Sequence, residues 1–216
     1  MSIEPIDLDA LEHDALTELV NIGVSRAAAS LRNMVGDPVT LSVPSVEVVS
    51  RRAAATLIRE RESDELIAVR QDFNGAFSGR ALLIFPQTHG LELVRAVAGD
   101  LSNEEIEALE IEALAETGNV VLNGCLATMA NMLQRPLTMS LPQVIRGGGQ
   151  LFFEIDQKVE DGGVVLFLYI NFTISGRNIR GYIAMLMDLP SLAALKYLVG
   201  EFIRRVLGTD DLGQLA

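Results

Sequence analysis

The sequence predicts an α+β fold in which a helix–three-strand–helix unit occurs twice, the two copies sharing one largely antiparallel sheet packed by helices and related by a pseudo-two-fold axis. Three observations predict it. Each half opens on a long segment with helical periodicity. Each continues into strand-like runs joined by hairpin-length connections. The two halves also align with one another, as duplicated architectures do. Asp14–Glu47 superimposes on Glu112–Ile145 without gaps at a constant offset of 98, giving 12 identities in 34 positions. These include Glu18/Glu116, Asn21/Asn119, Pro38/Pro136, Ser42/Ser140 and Pro44/Pro142.

In chain order, the leading helices are expected over residues 10–35 and 103–134, and the strand regions over 39–86 and 137–187. Short helices follow at Leu91–Val97 and Leu192–Val206. Asn74-Gly75 and Ser175-Gly176 sit between strand-like runs, where a positive-φ turn would close a hairpin. The strands are apolar on more than one side, so neither copy's sheet looks complete alone. The expectation is a single domain over 1–216 with repeats at about 8–100 and 103–207. The RERESDE run at 59–65 reads as a solvated loop or strand end, and the tail after Leu207 as frayed.

Composition narrows the function. The chain has 216 residues, 17 basic against 29 acidic, for a formal charge of −12. No Lys/Arg cluster is large enough to follow a nucleic-acid backbone, so nucleic acid is not an expected partner. The longest strongly apolar stretch, Val164–Ile174, contains Asn171 and is too short to span a bilayer as a helix. The acidic start lacks the pattern of a signal peptide, so a soluble cytoplasmic protein without membrane insertion is expected. One cysteine, Cys125, excludes an intrachain disulfide and a cysteine-based metal site. It falls on a core stripe with no histidine to activate it, and neither His13 nor His89 belongs to a repeated motif. No metal site of the chain's own is expected.

At 100° per residue, Leu16, Val20, Gly23, Ala27, Leu31 and Met34 form one stripe of the first helix. Leu114, Gly118, Val121, Cys125, Met129 and Met132 form the corresponding stripe of the second. The small members suit close packing on a sheet or another helix. Opposite lie Asp14, Glu18, Asn21 and Ser25, and in the second copy Glu112, Glu116, Asn119 and Asn123. Glu and Asn are thus neighbours one turn apart, facing away from the core. An exposed Glu is ordinary, and a mid-helix Asn is often an amide satisfied at the edge of a core. Asn is nevertheless a mediocre helix former, and folding alone does not explain why the pair recurs at one spacing in two diverged copies. Ile22, Val24, Val120 and Leu122 flank the ridge, as at a protein-docking surface. Pro44 and Pro142 read as strand-entry or edge residues.

The pattern Asp14-x-x-x-Glu18-x-x-Asn21, followed by 22 residues and Pro44, resembles the signature of the CheC/CheX/FliY family of chemotaxis phosphatases. The second copy, Glu112-x-x-x-Glu116-x-x-Asn119, reaches Pro142 after the same 22 residues. It departs from the pattern only at Glu112, where the family has Asp or Ser. The resemblance covers nearly the whole chain, and two motif copies without FliY's additional segments favour the CheC-like branch. It implies a CheC-like fold and, as substrate, the aspartyl phosphate of a CheY-type response regulator that carries its own Mg²⁺. The implied catalytic residues are Glu18, Asn21, Glu116 and Asn119. Asp14, Ser25, Glu112 and Asn123 are the expected partner-binding residues beside them. CheD is a second candidate partner, and a non-catalytic module that sequesters CheD or a phosphorylated regulator is the alternative reading. Switch proteins of the FliM type share the fold but lack these pairs.

Overall fold

A computed structural model describes residues 8–62, 65–98, 102–153, 163–174 and 177–208. The first half runs α1 (Ala10–Val35), β1 (Val39–Ser50), α2 (Arg51–Arg61), β2 (Leu66–Gly75), β3 (Gly79–Pro86) and α3 (Gln87–Ala98). The second runs α4 (Asn103–Met132), β4 (Leu137–Met139), β5 (Gln143–Gly147), α5 (Gly149–Phe152), β6 (Gly163–Ile174), β7 (Arg177–Asp188) and α6 (Leu189–Leu207).

Local chemistry sets the ends of the leading helices. Asp9 accepts from the Glu12 backbone N–H at 2.8 Å, and Glu12 accepts from that of Asp9 at 2.9 Å. Ser102 and Glu105 repeat this reciprocal cap at the start of α4. Each box satisfies backbone donors that the first turn leaves without partners. Gly36 ends α1 in the left-handed region at φ 79, where a side chain would be strained.

The sheet has seven strands in the order β1-β6-β7-β3-β2-β4, with β5 also on β2, and every pairing is antiparallel. The first strand of each half leaves its own unit: β1 pairs with β6 of the second half, and β4 and β5 pair with β2 of the first. The pseudo-two-fold relation falls between the central strands β3 and β7. The halves are therefore interlocked, and both faces of the sheet are covered. On one face α1, α3, α4 and α6 pack on Val69, Leu83, Leu168 and Ile183. On the other, α2 and the end of α5 cover Ala68, Leu82, Phe167 and Tyr182. Apolar residues on both sides of each strand are thus accounted for.

The small residues of the helical stripes set how closely the layers approach. A Cβ on Gly23 would lie 3.0 Å from the Cys125 Cα, and one on Gly124 would lie 3.1 Å from the Ala27 Cα. A Cβ on Gly118 would come within 2.4 Å of the Val69 side chain. Helix α1 therefore packs directly against α4, and α4 sits tightly on β2.

Several sequence expectations are corrected. A helix, α2, intervenes between β1 and β2, so Arg59–Arg61 of the RERESDE run is its last turn rather than a loop. Residues 63–64 lie outside the described residues. The β2–β3 hairpin is present, but its connection is residues 76–78, and Gly75 is not among the positive-φ glycines. Gly75 is instead required by close approach, since a Cβ there would lie 2.5 Å from the Pro136 carbonyl oxygen. Ser175, Gly176 and the tail from residue 209 lie outside the described residues. Pro44 lies in edge strand β1, where the register shifts between Ser42 and Ser45. Pro142 lies in the gap between β4 and β5.

Candidate functional site

Both acidic ridges lie on the helical layer formed by α1 and α4. Asp14, Glu18 and Ser25 are exposed on α1, and Glu112 and Glu116 are exposed on α4. Asn21, Asn119 and Asn123 are half-buried, so each sits at the lip between the ridge and the core. The apolar flanks differ from the sequence expectation. Val24 and Leu122 are 1% and 0% exposed and belong to the core, while Ile22 and Val120 are only partly buried. The 100° rule alone does not show that α1 and α4 bury each other's sides as well as the side facing the sheet. An exposed apolar residue does stand beside the second ridge: Leu141, 85% exposed, in the gap between β4 and β5. Its counterpart Val43, within the continuous strand β1, is buried.

The two carboxamides have different surroundings. Asn119 Oδ1 accepts from Gln71 Nε2 at 3.1 Å and from Asn123 Nδ2 at 2.7 Å. Gln71 Nε2 also donates to the Ser140 carbonyl at 3.0 Å and lies 3.4 Å from Asn123 Oδ1. Gln71 lies on β2 between Val69 and Phe73 on the helix-facing side and is 1% exposed. The Asn21 side chain makes no hydrogen bond among the described residues. Glu18 and Glu116 likewise form no ion pair among them, so both carboxylates are available to a partner.

Gln71, which hydrogen-bonds Asn119 from 48 positions away in sequence, was not among the expected site residues. The available signal was a lone amide at a core-facing phase of the apolar run LIAVRQDF. Cys125 is fully buried, and burial pushes its thiol up to about 12, so it is a core residue and not a nucleophile. His13 is occupied with the Val46 carbonyl at 2.9 Å. Among the described residues, no group of three or more His, Cys, Asp or Glu side chains is placed to share a metal ion. No helix there is long and apolar enough to cross a membrane.

The family model described as "Chemotaxis phosphatase CheX" matches residues 67–167. The flagellar motor switch phosphatase FliY of Bacillus subtilis is 23% identical over 141 residues, covering 64% of this chain and 36% of that protein. The Halobacterium salinarum protein named CheC1, a candidate CheY-P phosphatase, is 22% identical over 147 residues, covering 67% of this chain and 73% of its own length. The crystal structure of Thermotoga maritima FliY superimposes with a TM-score of 0.71 at 16% identity, covering 90% of this chain and 98% of that one. The chain is similar to the chemotaxis phosphatases of the CheC/CheX/FliY family. The matches extend over both halves, and the FliY likeness covers the helical layer and the sheet together, so the fold is the CheC-like one. The chain spans only about a third of the Bacillus FliY, 36%, so FliY's activity as a whole does not transfer with the match.

Proposed function

We propose that this chain dephosphorylates the aspartyl phosphate of a CheY-type response regulator in chemotaxis. The observation that carries this reading is the repeated Glu-x-x-Asn pair, exposed carboxylate beside half-buried carboxamide, at one place on two packed helices. Hydrolysis of an acyl phosphate needs a water in line with phosphorus and neutralisation of the phosphoryl charge, with little covalent work by the catalyst. The regulator supplies its own Mg²⁺ and a lysine beside the phosphoryl group; a group that positions the water is the missing part. The carboxamide of Asn21 or Asn119 fills that role through directed hydrogen bonds. Glu18 or Glu116, one turn away, pairs with the regulator's lysine and sets the docking register. The acid at Asp14 or Glu112 and the side chain at Ser25 or Asn123 extend the contact along the same helix. The names of the CheX family and of the CheC1 and FliY relatives support this reading.

The division of labour is testable in steady-state phosphate release. Glu18→Ala with Glu116→Ala is expected to raise KM, because docking is lost, while Asn21→Ala with Asn119→Ala lowers kcat. If the unsubstituted chain bound the phosphorylated regulator or CheD tightly without accelerating phosphate release, it would be a sequestering module and not a phosphatase.

A further inference from the structure

The pseudo-symmetry allows the two sites to be compared position by position. The offset of 98 carries Ser42 to Ser140, Ser25 to Asn123 and Asn21 to Asn119. Ser42 pairs with Asn171 on β6, and the Ser140 backbone N–H donates to the Asp72 carbonyl on β2. The residue before each of these partners is Ile170 in one case and Gln71 in the other. Both are buried and both face the helical layer. Beneath the first site this place is apolar, so the fold does not demand an amide. Beneath the second site the residue is an amide although its Oε1 is buried without a hydrogen-bond partner among the described residues, which costs stability.

The network has one consistent orientation. The Ser140 carbonyl can only accept, so the Gln71 atom beside it is Nε2. The atom of Asn119 that faces Gln71 must then be the acceptor, Oδ1. The Asn123 amino group, at 2.7 Å, takes the remaining lone pair of that oxygen. Asn119 Nδ2 has no partner among the described residues and is not among their buried unsatisfied atoms, so it is presented to solvent. The first site has neither anchor: Ser25 stands in place of Asn123, and Ile170 in place of Gln71.

We propose that Gln71 is a positioning residue for the second site, fixing the Asn119 carboxamide with its oxygen inward so that this site presents a preoriented pair of N–H donors, whereas the Asn21 carboxamide has no such anchor among the described residues. The proposal rests on the phosphatase reading for its kinetic consequence, but not for the geometry. An N–H donor holds a water through one lone pair of its oxygen and leaves the other directed at phosphorus, or it holds a phosphoryl oxygen. A fixed donor does so without reorganisation in the reaction step. The second site is then the faster of the two, although Glu112 departs from the family pattern there.

The test has two arms. In the free protein, the Asn119 side-chain amide is expected to be rigid by ¹⁵N relaxation, the Asn21 amide mobile, and Gln71→Ile to mobilise Asn119. Equal mobility of Asn21 and Asn119 in the unsubstituted protein overturns the proposal. In phosphate release, Gln71→Ile in an Asn21→Ala background is expected to lower kcat by on the order of tenfold with KM unchanged. The same substitution in an Asn119→Ala background should change nothing, and equal losses in both backgrounds would make Gln71 merely structural. Gln71→Met, of similar length without a donor, replaces Gln71→Ile if that variant does not fold. Should Asn21→Ala/Asn119→Ala release phosphate at the full rate, the phosphatase reading fails by itself, and the relaxation arm still decides the role of Gln71.

Discussion

Side-chain identity matters most where the helical layer meets the sheet. Gln71 and Ile170 occupy equivalent places, yet only one reaches the helix above it with a hydrogen bond, and that difference makes two nearly identical motifs unequal. Cys125 carries a residue-scale expectation of a different kind. With its thiol pushed up to about 12 by burial, reaction with a thiol reagent at neutral pH should be slow and should become rapid only on unfolding, as a labelling time course in increasing urea would show. Fast labelling in the absence of denaturant would mean that α1 and α4 separate readily. At this scale the sequence was informative about chemistry that repeats and silent about chemistry that does not. The Glu18/Asn21 and Glu116/Asn119 pairs stand out in the sequence because each copy repeats the other. Gln71 does not, because its partner is 48 residues away and its counterpart is apolar. Val24 and Leu122 were misplaced on the docking surface because a wheel drawn for one helix does not know that a second helix lies alongside.

Elements obey rules that are mostly local, and these were read more fully. Both ends of α1 are written in the chain by the Asp9/Glu12 box and by Gly36. Helix α2 escaped because its stripe is only Ala54, Ala55 and Ile58, too short to stand out beside the strand that precedes it. Asp188 caps α6 by accepting from the Ser191 backbone N–H at 2.8 Å. Its hydrogen bonds to Ser191 hold the carboxyl below the ordinary carboxylate range. A folded-state value below the unfolded one stabilises the protein above the unfolded value and ceases to do so as pH falls through the folded one. Asp188→Ala should therefore cost about 1 kcal/mol near neutrality, and the difference from the unsubstituted protein should shrink below about pH 4. Asp188→Asn keeps a capping acceptor without a charge and should show no such decline; urea titrations across pH measure both. Packing between elements gives a second expectation. Gly118→Ala drives a Cβ to 2.4 Å from the Val69 side chain, below any ordinary contact distance, so helix α4 must shift on β2. The cost should be about 1–3 kcal/mol in chemical denaturation. Because the same shift disturbs the hydrogen bonds from Gln71 to Asn119, kcat in an Asn21→Ala background should fall as well.

The exchange of first strands joins the two halves in one sheet. Strand β1 completes the sheet beside β6, and β4 and β5 complete it beside β2, so neither half can close its sheet alone. Duplication predicted the symmetry, but the exchange is a matter of which strands pair over long sequence separations, and periodicity carries no such information. Unfolding should accordingly give coincident transitions for probes in the two halves, and Gly118→Ala in the second half should lower the midpoint of both equally. Separate transitions would contradict the interlocked sheet. The central claim is that two carboxamides on this interlocked scaffold position the water that hydrolyses a regulator's aspartyl phosphate. Phosphate release from a phosphorylated CheY-type regulator, compared between the unsubstituted chain and Asn21→Ala/Asn119→Ala, tests it most directly. The unsubstituted chain should accelerate release, and the double variant should lose roughly 10²–10³-fold of that acceleration while remaining folded; an unchanged rate in the double variant would contradict this role for the carboxamides.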